Sequence, residues 1–99
     1  MSDHNRAALD VAASLLYSVG RTSAPDLDPA AVAECLLAAS HLADAGAEIT
    51  RSEVPARQLV ATIERAARLL GQLPIAEFAC GQVLDAVEAT DRALLHLGR

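Results

Sequence analysis

The stretch DPAAVAECLLAASHLADAG, residues 28–46, decides the fold class. Asp28 followed by Pro29 is a helix start, because the aspartate can accept from the orphan amides of the first turn and proline fits the first helical position without losing a bond. Val32, Cys35, Leu36, Ala39, Leu42 and Ala43 then recur at steps of three and four, which places them on one side of a helix of 3.6 residues per turn. Gly46 is placed to stop it. The segment therefore reads as an amphipathic helix of about residues 29–45.

The same pattern repeats on both sides. Upstream, Ala8, Leu9, Ala12, Leu15, Leu16 and Val19 share one face of a helix over about 3–19, opposite Arg6, Asp10, Ser14 and Arg21. Gly20 is read as its left-handed stop, followed by a loop to Leu27. Downstream, Leu59, Ile63, Ala66 and Leu70 line a third helix, about 53–70, whose start is contested between the capping spacing Thr50 to Glu53 and Pro55, and which runs to Gly71. Pro74 opens a fourth, about 74–97, in which Ala76, Cys80, Val83, Val87, Thr90, Leu94 and Leu97 recur at coiled-coil-like steps. Thr90 can bond the carbonyl one turn back while its methyl packs. No segment alternates with period two, so the expectation is an all-α, up-down-up-down antiparallel four-helix bundle forming one domain over 1–99.

Composition agrees with that architecture. Ninety-nine residues of 53% apolar content can fill one core without a disulfide or metal staple. Aromatics make up 2%, so the helices must approach closely over alanine. The net charge of -5 opposes nonspecific binding to nucleic acid or an anionic membrane. The eight cations are all arginine, which removes lysine amine chemistry and fits the coding bias of a GC-rich bacterium. No run approaches the ~20 apolar residues of a membrane span, and the first residues are not signal-like, so a cytoplasmic protein is expected. The third helix carries Arg57, Arg65 and Arg68 and the fourth Glu77, Asp85, Glu88 and Asp91, so their edges should attract.

Each titratable group also has a structural reading. Cys35 and Cys80 each follow a helix-opening proline by six residues, which in the expected topology puts them in one core layer on diagonal, parallel helices, as two reduced thiols too far apart to bridge. No further ligand completes a metal site, and no cofactor is expected. His4 and His96 lie at helix ends. Asp85, Glu88 and Asp91 drift around their helix, and Glu88 with Arg92 has the spacing of an ordinary helix pair.

His41 projects from the polar side of the second helix between Glu34 and Asp44, an environment that favours its cationic form. The stretch Ala39-Ser40-His41-Leu42-Ala43-Asp44-Ala45 resembles the segment around the phosphorylated histidine of histidine phosphotransfer domains, which are also helical bundles. The resemblance implies a phosphoacceptor role for His41. That family has a lysine three positions after the histidine and then a glycine, where this chain has Asp44 and Ala45.

The remaining candidates are apolar. Tyr17 falls on the polar side of the first helix and Phe78 opposite the apolar stripe of the fourth, and the expected topology brings both to one end of the bundle beside Leu27 and Leu73. Leu37 sits on the outer side of the second helix with Ala33, Ser40 and Asp44. These five residues are the expected interface of a noncatalytic module that binds a protein partner or a second copy of itself, the alternative for Tyr17 and Phe78 being a small core closed by the loop from Arg21 to Leu27. A small ligand would need a cavity that an alanine-rich core does not offer.

Overall fold

The computed structural model describes residues 2–22, 27–74, 76 and 81–98. Among them the chain is all-helical, with α1 at Asp3–Gly20, α2 at Pro29–Asp44, a 3-10 turn at Ala56–Gln58, α3 at Leu59–Gly71 and α4 at Gln82–His96. No described helix is long and apolar enough to cross a membrane.

Local chemistry sets most of these limits. Ser2 accepts from the Asn5 amide at 3.2 Å to open α1, and Asp28 accepts from the Ala30 amide at 2.8 Å to open α2 ahead of Pro29. At the far end of α2, Gly46 takes φ 101° and donates to Ala43, while Ala47 donates to Leu42 at 2.9 Å, so two orphan carbonyls are satisfied by a left-handed glycine. Gly20 departs from expectation, because it remains helical. A Cβ there would come within 2.5 Å of Leu36. Its role is the close approach of α1 to α2. The fourth helix also starts later than the position of Pro74 suggests: Gly81, at φ 76°, precedes its first turn at Gln82.

The packing order around the bundle is α1, α2, α4, α3, and the closest association is between α2 and α4. Hydrogen bonds fix the directions. Arg6, at the start of α1, donates to the Gly46 carbonyl just past the end of α2, so these helices are antiparallel. From Gly46 the chain runs back along α1 in α1's own direction, reaching Ser18 by Ser52. It thus delivers α3 to the end where α1 stops, and α3 runs parallel to α2. His41 meets Gln82 and Glu34 meets Arg92, so α4 is antiparallel to α2. The up-down-up-down order expected from the sequence is corrected on this point: the joint after α2 is a crossover rather than a short reversal, and α2 and α4 are antiparallel neighbours rather than a parallel diagonal pair.

The core is built from small side chains. Ala12, Ala13, Ala31, Ala38, Ala66, Ala86, Ala89 and Ala93 are fully buried with Leu9, Leu16, Leu42, Ile63 and Val83. The inner face expected for α3 is buried throughout. In α4 the buried side is turned toward Ala86, Ala89 and Ala93, leaving Val87, Leu94 and Leu97 only partly covered. Packing against α2 at short range selects the alanine side. Ala43 of α2, expected inside, is exposed. Thr90 is buried, and its hydroxyl donates to the Ala86 carbonyl at 2.7 Å.

Candidate interaction surface

Two outward surfaces of the bundle differ in how they are finished. On α1, Arg6, Asp10, Ser14 and Ser18 recur every four residues, a rise of ~6 Å per step. The crossover is extended there, and alternate residues of an extended chain rise by ~6.6 Å. The two repeats match. Asp10 accepts from the Glu48 amide at 2.9 Å, Ser14 from Thr50 at 2.9 Å and Ser18 from Ser52 at 2.9 Å. Ser18 is buried as a result. Open depressions of about 660 Å³ and about 390 Å³ flank the crossover, the first beside Arg21 and Arg51, the second beside Val11 and Leu15.

The second surface lies across α2 and α4. Here the His41 Nδ1–H donates to Gln82 Oε1 at 3.0 Å, and Arg92 Nε donates to Glu34 Oε2 at 3.0 Å. The two contacts clasp the helices at separate levels. Arg92 therefore reaches across to α2 and not to Glu88, and Glu34 serves Arg92 and not His41, both contrary to expectation. Outside this clasp, Leu37 is 42% exposed, Leu84 45% and Leu95 72%. Leu37 shares its side of α2 with Glu34 and His41, the residues that reach α4, and Leu84 and Leu95 share a stripe of α4 with Glu88. A shallow concavity of about 380 Å³ lies beside Leu95, lined also by Asp91, Arg92 and Leu94.

Among the described residues expected to form an interface, Leu27 and Leu73 do not share one end of the bundle. Leu27 and Leu73 are buried. Leu27 precedes α2 and Leu73 follows α3, and the crossover places those helix termini at opposite ends of the bundle, so the shared end expected for them is corrected. Tyr17 is half-buried and packed against the core. Phe78 lies outside the described residues. Among the described ones, Leu37 is exposed as expected.

Leu84 and Leu95 went unassigned in the sequence. The signal was present, because projection at ~100° per residue sets both opposite Ala86 and Ala93. Cys35 is a free, buried thiol, and burial, aided by the neighbouring Glu34 charge, pushes it up to about 12. Cys80, its expected companion, lies outside the described residues. Among the described residues no three His, Cys, Asp or Glu side chains are grouped to hold a metal ion. Comparison with protein-family models, with curated proteins and with solved structures gives no match to this chain.

Proposed function

We propose that the chain is a noncatalytic, cytoplasmic helical module whose α2 and α4 outer face docks another polypeptide. The observation that carries this reading is that Leu37 of α2 and Leu84 and Leu95 of α4, large apolar side chains, are left in water by a bundle that buries its other leucines wholly or in part. Leucine contact drives association through apolar area, and the two interhelical hydrogen-bonded pairs hold its frame rigid.

Leu37→Glu, Leu84→Glu and Leu95→Glu, each introduced in the full chain, should abolish association with a second copy or with another protein while circular dichroism keeps the helical signal. The reading fails if light scattering gives a monomer and affinity capture retains nothing, or if captured material survives all three changes. The phosphotransfer reading through His41 has its own test, phosphohistidine formation with a histidine kinase, lost in His41→Ala. With Nδ1 engaged by Gln82, Nε2 is the nitrogen that would carry the phosphoryl group.

A further inference from the structure

Charge identifies the kind of polypeptide that the leucine face would take. Helices α2 and α4 carry Glu34, Asp44, Asp85, Glu88 and Asp91 against one arginine, Arg92. With histidine neutral, five carboxylates against one guanidinium give these two helices four of the chain's five formal negative charges. Arg92 is engaged by Glu34 at 3.0 Å. Asp44, Asp85, Glu88 and Asp91 are exposed on the two helices that carry the three leucines. On α4 the residues Leu84, Glu88, Asp91 and Leu95 follow one another at steps of four, three and four, so a single stripe carries a leucine at each end and two carboxylates between.

We infer that this face receives a basic amphipathic helix, an inference that rests on the interaction reading above. The leucines meet the apolar stripe of such a helix, and the carboxylates meet the lysines or arginines that flank it. A second copy presenting the same face would set four net negative charges against four, and like charges across an interface oppose association. Nucleic acid and anionic bilayers are repelled for the same reason.

The probe is a fluorescein-labelled peptide of about 18 residues with leucines at helical spacing and lysine or arginine on its other faces, long enough to span α4. Its twin carries glutamate at every basic position. Fluorescence anisotropy with the full chain should show binding of the basic peptide and none of the twin. Glu88→Arg with Asp91→Arg should weaken binding roughly tenfold or more, as should Leu84→Ala with Leu95→Ala, which leaves every charge in place. Asp3→Arg and Glu53→Arg, away from the face, should change it little.

Equal binding of the acidic twin, silent leucine variants, or equal effects of the face and control charge reversals would each overturn the inference. If a second copy or the acidic twin binds and the leucine variants abolish that binding, the basic partner is wrong and the docking face stands. If no leucine variant alters any binding, both fall.

Discussion

The outer sides of α1 and of the α2 and α4 pair present opposite solutions to one problem. On α1 the side chains that face the crossover are polar, and read alone they belong in water. They are instead consumed by main-chain amides of the crossover, which they hold at Glu48, Thr50 and Ser52. On α2 and α4 the outward residues include three leucines, which read alone belong in a core and are left exposed. Polarity read alone thus misplaces side chains on both surfaces, on α1 because another segment takes the polar ones and on α2 and α4 because no described helix of the bundle covers the leucines. The fastened side is structural, and the open side is the one proposed above to dock a partner.

The comparison can be broken in several places, and the largest effect is expected beneath it. Cys35 faces the core of α2, two residues from exposed Leu37. The unfolded chain releases its thiol proton near 9, whereas the folded chain holds it to about 12. Between those values the folded state binds more protons, so its stability is full below pH 9 and falls as pH rises toward 12, on the order of a few kcal/mol. Urea unfolding across that range should show the slope, and Cys35→Ala should flatten it.

The fastened side comes next. Ser18→Ala leaves the Ser52 amide without its acceptor under the crossover and should cost about 1–3 kcal/mol in the same assay. Asp10→Ala and Ser14→Ala, at exposed positions, should cost less. The pairing also predicts an alternation in amide hydrogen exchange. Glu48, Thr50 and Ser52 should exchange slowly, and Ile49 and Arg51, whose amides make no hydrogen bond to α1, quickly. Uniform exchange along 48–52 would remove the fastening from the account.

The smallest stability effect belongs to the open side. Leu84→Glu and Leu95→Glu should stay within about 0.5 kcal/mol of the parent, because neither side chain fills the core. A loss of several kcal/mol would make them hidden core residues and erase the contrast.

What could be read from the sequence was the part governed by local rules. Asp28 with Pro29, the stop at Gly46 and the inner face of α3 are all as their spacing indicated. The crossover was hidden because its partners are main-chain amides, which carry no residue identity, and because residues 45–55 lack a helical period. Without the crossover, short joints imply a different neighbour order and bring Leu27 and Leu73 to one end of the bundle. Gly20 has the spacing of a left-handed stop, but its use is the missing Cβ facing Leu36. Leu84 and Leu95 were legible in principle. The stripe through Val83, Val87 and Leu94 has the stronger period, and the rotation of α4 toward its alanine side follows from packing against α2.

One titration tests the contrast between the two surfaces most directly. Adding the basic peptide to the isotopically labelled full chain, with amide chemical shifts recorded residue by residue, should move Leu37, Leu84, Glu88 and Leu95 and leave Glu48, Thr50 and Ser52 in place. Shifts centred on the crossover and the outer side of α1, with α2 and α4 silent, would contradict it.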